Sequence, residues 1–396
     1  MRILIISTHD SRGGAGKAAY RFSKEFINQG HEVCLYVRDK KEKDDFIVES
    51  SSPKFLSKLY HLLDFLPGYI LSGFNKDANF TLGLFGERLD KIIEEFKPDI
   101  INVHWTWKGF ISFGEICKVS RKIPVVWTMH DYSPFSGGVF YFLNSQPVPI
   151  KLLSYVNSLI RGLFLSGSNL IFVSPSKFLC KEFETGKLSS KFDCKVINNG
   201  IDTSVYKKLN KQESRKQLNL ESNKKYILFG AVNILENKVK GGKILKAVLS
   251  KLENYLIDEN IGLLSFGSSN PFPYLELSEK IEKKFIGYVH TDQEMAELFA
   301  SADVMLVPSM HENYPFVVME SLSCSVPVVA FKIGGIPEMI EQKKSGYIVE
   351  PYSIDNYVKG IMYRLGNHIS MEHSFSFSIR DKAKKYINLF REVLSD

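Results

Sequence analysis

Of 396 residues only five are cysteine, and Cys34, Cys117, Cys180, Cys194 and Cys324 are scattered with no C-x-x-C pair. That pattern excludes a disulfide framework and a zinc ribbon, and reads as reduced thiols of a cytoplasmic chain. H-E-x-x-H, D-x-D and Cys/His clusters are equally missing, so no metal site is expected. Long clean apolar runs are lacking too: 53–74 is interrupted by Asp64 and Pro67, and 152–174 by Arg161, so neither reads as a spanning helix. The opening MRILIISTHD is a strand and a polar loop rather than a secretory signal. The net charge of +7 comes without a Lys/Arg stripe interleaved with aromatics. This argues against a nucleic-acid partner and leaves an anionic membrane surface or a phosphorylated substrate to account for the excess.

What is present is a double series of short apolar runs. RILIIS (2–7), HEVCLYV (31–37), DIINVHW (99–105), PVVWTMH (124–130), NLIFVSP (169–175) and KVINNG (195–200) suit buried parallel strands. Amphipathic segments such as 17–29 and 82–96 lie between them as helices. A second series follows: YILFGAV (226–232), GLLSFGS (262–268), KFIGYV (284–289), VMLVP (304–308), PVVAF (327–331) and GYIVE (346–350). The polar stretch 202–225 is the natural linker. Two doubly wound α/β domains are therefore expected, over 1–203 and 204–377, with a terminal helix at 378–394.

Two carboxylates stand out in the second series. Glu312 and Glu320 frame HENYPFVVMES (311–321), directly after a buried strand and with Pro315 where a helix begins. Ligands of open α/β sheets bind beyond the carboxyl ends of the strands, where such carboxylates accept hydrogen bonds from hydroxyl groups. Taken alone, glutamates near a helix start simply favour the macrodipole. The surroundings, GYVHTDQEMAELFASADVMLVPSMHENYPFVVMESLSCSVPVVAFKIGGIPEMIEQKKSGYIVEP (287–351), resemble the E-x7-E region of the large fourth family of retaining GT-B glycosyltransferases. The resemblance implies that Glu312 binds donor-sugar hydroxyls and Glu320 the nucleotide ribose. It places Asn313, Tyr314, Pro315 and Phe316 in the same donor-binding loop, and packs Tyr288 and Val289 on the base.

Three further segments carry chemistry. SRGGAGKAAYRF (11–22) lacks the Gly and Ser/Thr of a phosphate-binding Walker loop, but Gly14-Ala-Gly16-Lys-Ala-Ala19 fits the permissive G-x-G-x-x-A fingerprint, with Asp39 as a ribose acid. An NAD(P)-binding enzyme is thus an alternative. The loop is longer than a dinucleotide turn, and Gly13, Gly14 and Ala15 are similar to the glycosyltransferase loop whose backbone approaches donor phosphate or acceptor. WTMHDYSPFSGG (127–138) resembles the H-D-x-x-P-F-x-G-G string of a polysaccharide-building branch, in which the matching histidine, here His130, bonds a sugar hydroxyl; Asp131 is expected either to orient the neighbouring loop or to cap a turn. Cleaving a sugar–diphosphate bond also needs a fixed cation. Lys240 with Gly241 matches the family's K-G element, whereas Ala231 stands where its arginine is expected, leaving Lys238 or Asn233 to substitute.

The resemblance implies a GT-B architecture, two Rossmann-like domains facing a central cleft, with the terminal helix returning to the first domain. It implies metal-independent retaining transfer of a hexose from a nucleotide-diphosphate sugar, with no other cofactor, to a saccharide or lipid-linked saccharide acceptor in surface-polysaccharide synthesis. His130, Lys240 and Glu312 would be catalytic. A catalytically inactive sugar-nucleotide-binding protein is the second alternative. The apolar stretches 53–74 and 151–166 raise a peripheral contact at the inner membrane face; their bland reading is burial against the first domain.

Overall fold

Ile3, Leu4, Ile5 and Ile6 have no exposed surface, as a strand covered by helices on both faces requires. They form the middle of β1 (Arg2–His9). The computed structural model describes residues 1–74, 80–141, 146–186, 191–366, 371 and 374–395. By contact the chain divides into two units, Met1–Gly200 with Ile379–Asp396, and Ile201–Ser378.

In the first unit, β1 is joined by β2 (Glu32–Asp39), β3 (Ile47–Glu49), β4 (Ile100–Val103), β5 (Val125–Thr128), β6 (Leu170–Ser174) and β7 (Cys194–Val196). Among the described residues they form a seven-stranded sheet ordered β3-β2-β1-β4-β5-β6-β7, with every pairing parallel. Helices α1 (Gly13–Asn28), α2 (Lys54–Leu71), α3 (Asp90–Phe96), α4 (Phe113–Ser120), α5 (Val148–Phe164) and α6 (Lys177–Glu184) connect them. The order reverses between β1 and β4, which makes the loops beyond those strands the natural ligand crevice.

The second unit repeats this plan. After α7 (Lys211–Gln217) come β8 (Lys225–Gly230), α8 (Gly242–Asp258), β9 (Ile261–Phe266), β10 (Lys283–Gly287), α9 (Asp292–Ser301), β11 (Val304–Val307), α10 (Phe316–Ser323), β12 (Val328–Phe331), β13 (Gly346–Val349) and α11 (Ile354–Gly366). Its parallel sheet is ordered β10-β9-β8-β11-β12-β13, reversing between β8 and β11. The last helix, α12 (Ile379–Ser395), belongs to the first unit. Its Tyr386 ring meets Phe22 edge-on at 4.8 Å and its Phe390 ring meets Phe26 at 5.7 Å, contacts that bury the apolar faces of α1 and α12 together.

The structure departs from the sequence pattern in identifiable places. Strand β3 is too short to register as a periodic run. The helix expected over 82–96 is confined to α3, because buried groups claim the backbone before it: Asp64 accepts from the Gly83 amide, and Asn157 and Arg161 donate to the Leu82 carbonyl. Gly13, Gly14 and Ala15 are not an extended loop but the first turn of α1. Segments 53–74 and 151–166 are buried only along one face; α2 and α5 turn most of their large apolar side chains outward, Ile150 excepted. Among the described residues, no helix is long and apolar enough to cross a membrane.

Candidate active site

The loop after β8 and the loop after β11 meet at the reversal point of the second sheet. Asn237 starts a short turn over Lys238–Lys240 by accepting from the Val239 and Lys240 amides at 3.0 and 3.3 Å. Gly241 follows in the left-handed region at φ +74°, and a Cβ there would run into the Pro308 carbonyl. The Met310 amide donates to the Val239 carbonyl at 2.8 Å, fastening one loop to the other. The result is a short ion pair: Lys240 Nζ lies 2.6 Å from Glu312 Oε1, and the Ser309 hydroxyl donates to the same oxygen at 2.8 Å.

A third loop completes the support. Gly334, at φ +51° beyond β12, passes so close to the Glu312 carbonyl that no side chain fits between them. Glu312 retains 10 % of its side-chain exposure and Lys240 33 %, so the pair is sheltered yet open to a ligand. Next to it, burial depresses the His311 pKa to about 4 and keeps the ring neutral at ordinary pH; the Glu312 charge offsets this in part and the Lys240 charge adds to it.

Pro315 does not occupy the first helical position; it is the extended residue before α10, which begins at Phe316. Glu320 is the fifth residue of α10 and is only 4 % exposed. Asn313 is half-buried in the connecting loop, while Tyr314 is buried, its phenol pKa raised by that burial and by the nearby Glu338 charge. Tyr288 and Val289 lie in the loop after β10; Tyr288 is half exposed and packs edge-on against His290 at 5.0 Å. Asn233 is tied to Ser268, whose hydroxyl donates to Asn233 Oδ1 at 2.6 Å. Lys238 stands exposed in the same turn as Lys240. Not anticipated from the sequence are Ser309, Asn237 and Gly334; for Gly334 the doubled glycine of IGGIPE (333–338) is the available signal.

In the first unit His130 heads a buried polar relay. Asn102 Nδ2 donates to the Val126 carbonyl and Thr128 Oγ1, so Asn102 Oδ1 is the acceptor toward His104 Nε2 at 3.0 Å. Burial holds the His104 pKa well below its usual value, and the facing His130 adds to this. A neutral His104 with its proton on Nε2 presents a bare Nδ1, and His130 Nε2 must donate to it across 2.9 Å. Burial lowers the His130 pKa to about 3, so its Nδ1 is the accepting nitrogen. Thr128 Oγ1 continues the relay to the Tyr386 hydroxyl at 2.8 Å, linking it to α12. Asp131 caps its turn, taking the Ser133 amide at 2.9 Å and the Trp105 indole N–H at 3.0 Å.

At the amino end of α1, Arg12 supplies no side-chain cap and the first turn carries no acid. Gly16 lets the helix approach β1: a Cβ there would lie 2.9 Å from the His9 carbonyl oxygen. Asp39, the ribose acid of the dinucleotide alternative, is engaged by Arg38 at 2.8 Å and His9 at 3.1 Å.

Two doubly wound sheets, each with polar side chains gathered where its strand order reverses, define an α/β enzyme of Rossmann-like construction. The family model described as Glycosyltransferase Family 4 matches residues 12–205, and that described as Glycosyl transferases group 1 matches 210–381. Between them they span nearly the whole chain, which belongs to the group 1 glycosyltransferases.

The sulfoquinovosyl transferase SQD2 of Arabidopsis thaliana is 27% identical over 310 residues, 76% of this chain and 56% of that protein; the chain thus spans little more than half of that relative. Among solved structures, sucrose-phosphate synthase from Thermosynechococcus elongatus superposes with a TM-score of 0.73 at 15% identity, over 100% of this chain and 99% of that one. Anabaena HepE in complex with UDP-glucose superposes at 0.62 with 16% identity, over 100% and 98%. These likenesses identify the two-domain α/β fold as GT-B.

Proposed function

We propose that the chain is a metal-independent, retaining hexosyltransferase that uses a nucleotide-diphosphate sugar. Its acceptor is a saccharide or lipid-linked saccharide of surface-polysaccharide synthesis. The observation that carries this reading is the Lys240–Glu312 pair, 2.6 Å apart at the reversal point of the second sheet. Without donor, Lys240 is neutralised by Glu312. A diphosphate entering beside the starts of α8 and α10 competes for the ammonium, and Lys240 then stabilises the charge that grows on the departing phosphate. Released from the lysine, Glu312 accepts hydrogen bonds from donor-sugar hydroxyls, with Ser309 holding its orientation.

Lys238, exposed in the same turn, takes the place of the missing arginine. Glu320 serves the ribose, and Asn313, Tyr314, Phe316, Tyr288 and Val289 line the donor's nucleotide side. His130 accepts from a sugar hydroxyl through Nδ1, and the first turn of α1 at Gly13, Gly14 and Ala15 offers backbone N–H groups to phosphate or acceptor. Support for a nucleotide-sugar donor comes from the family membership and from the UDP-glucose bound by the similarly folded Anabaena protein.

The test is slow hydrolysis of a panel of nucleotide sugars without acceptor, followed by proton NMR. Release of the sugar first in the donor's own anomeric configuration is the expected result. The opposite anomer contradicts retention, and no turnover of any donor, alone or with saccharide acceptors, argues for a binding protein.

A further inference from the structure

Helices α2 and α5 are inside out. In α5 the buried positions are Ile150, Ser154, Asn157 and Arg161, spaced as one helical face, and three of the four are polar. These side chains bond to the backbone around them: Asn157 Nδ2 donates to the Leu82 and Gly137 carbonyls, and Arg161 to the Thr81, Leu82 and Ser133 carbonyls. In α2 the buried positions are Asp64 and Gly68, and the Asp64 carboxylate accepts from Thr81 and the Gly83 amide. Both helices therefore grip the strap 81–83 with polar side chains and direct most of their large apolar ones to solvent.

On α2 the outward row is Phe55, Leu59, Leu62, Leu66 and Ile70; on α5 it is Leu152, Tyr155, Val156, Leu159 and Leu163. Together with their immediate flanks the two helices hold sixteen of the twenty-five exposed large apolar side chains among the described residues. A monomer in water rarely leaves so continuous an apolar surface uncovered.

We propose that this face docks on an anionic lipid bilayer, with α2 and α5 lying in the interface. The charges select the occupant. The exposed ionic side chains of the two helices are Lys54, Lys58 and Lys151, near the amino ends of α2 and α5, while the one acid, Asp64, is buried. An apolar stripe led by lysines and free of exposed carboxylates complements headgroup phosphates above acyl chains. A second copy of the chain would bring the same unbalanced positive rim instead of a countercharge. Neither helix crosses the bilayer, so attachment is peripheral. The inference stands apart from the transfer chemistry.

Flotation of the full chain with phosphatidylcholine vesicles, with and without phosphatidylglycerol, tests it. Binding is expected to the phosphatidylglycerol vesicles at low salt, with a smaller fraction retained at high salt as apolar burial persists while charge is screened. Leu159→Glu with Leu163→Glu, both at exposed positions, should lower the bound fraction at least about tenfold with little change in melting temperature. Lys54→Glu with Lys58→Glu should remove the preference for phosphatidylglycerol. Failure to float under every condition, or binding indifferent to both variants, overturns the proposal. So does a lipid-free dimer that the leucine variant dissociates, since the face then belongs to a second copy.

Discussion

The Lys240 ammonium sits 2.6 Å from a Glu312 carboxylate oxygen that also takes the Ser309 hydroxyl. The two partners come from loops beyond adjacent strands, β8 and β11, and the loops are themselves joined by a backbone hydrogen bond. The pair is therefore held ready rather than formed by chance side-chain contact.

Lys240→Ala should fold normally. The pair is part-exposed, so its loss should lower stability by about 1 kcal/mol or less. Turnover at saturating donor should fall by roughly 10²-fold, the scale seen when a fixed donor to developing charge is removed. Saturating-donor rates beside melting curves check both halves; an unchanged rate places the leaving phosphate elsewhere.

Glu312→Gln and Glu320→Gln should separate. Each removes a charged acceptor worth about 1.5–3 kcal/mol, at least about tenfold in the step it serves. For Glu312 that step is transfer, and for Glu320 it is nucleotide affinity. Calorimetry with the free nucleoside diphosphate alongside kinetics distinguishes them, and the reverse pattern would exchange the two roles.

Gly334→Ala should damage the site without touching a charged group. A non-glycine residue at φ +51° is strained, and its methyl group would meet the Glu312 carbonyl. The loop must shift, with an expected cost of roughly 1–3 kcal/mol and a drop in turnover. Melting temperature and donor kinetics read this; wild-type behaviour in both would mean that the loop does not fix Glu312.

Acid should weaken the first unit through its histidine pair. The folded pKa values of His104 and His130 lie below 6.5, His130 near 3. Their contribution is complete above pH 6.5 and is lost as pH falls, because the unfolded chain takes up protons that the folded one refuses. Each such histidine costs up to about 1.4 kcal/mol per pH unit below 6.5. Thermal melts from pH 7 to 5 should show the decline, shallower in His130→Gln; an equally steep decline in that variant would contradict the buried neutral pair.

The strands were legible because burial on both faces leaves unbroken apolar runs, as in RILIIS and VMLVP, and the E-x7-E spacing marked Glu312 and Glu320. What the sequence concealed depends on tertiary contact. The stretch 82–88 has helical periodicity, but Asp64, Asn157 and Arg161 claim the backbone of Leu82 and Gly83 at its start. Ser309 looks like a strand-end residue until the Glu312 carboxylate is placed on its hydroxyl. His104 is one more residue of an apolar run until Asn102 and His130 bracket it. The outward apolar faces of α2 and α5 were ambiguous for the same reason: periodicity shows that a stripe exists, and only the packing of Asp64 and Arg161 shows which way it points.

The central claim is that the loops beyond β8 and β11 hold the donor diphosphate. Titration calorimetry of UDP-glucose and a panel of other nucleoside-diphosphate sugars, against the wild-type chain and the Lys238→Ala, Lys240→Ala double variant, tests it most directly. At least one member should bind the wild type, with affinity lowered by about tenfold or more in the double variant, since two charge-assisted contacts are lost. Equal affinity in both proteins, or no binding of any member to the wild type, would contradict the account.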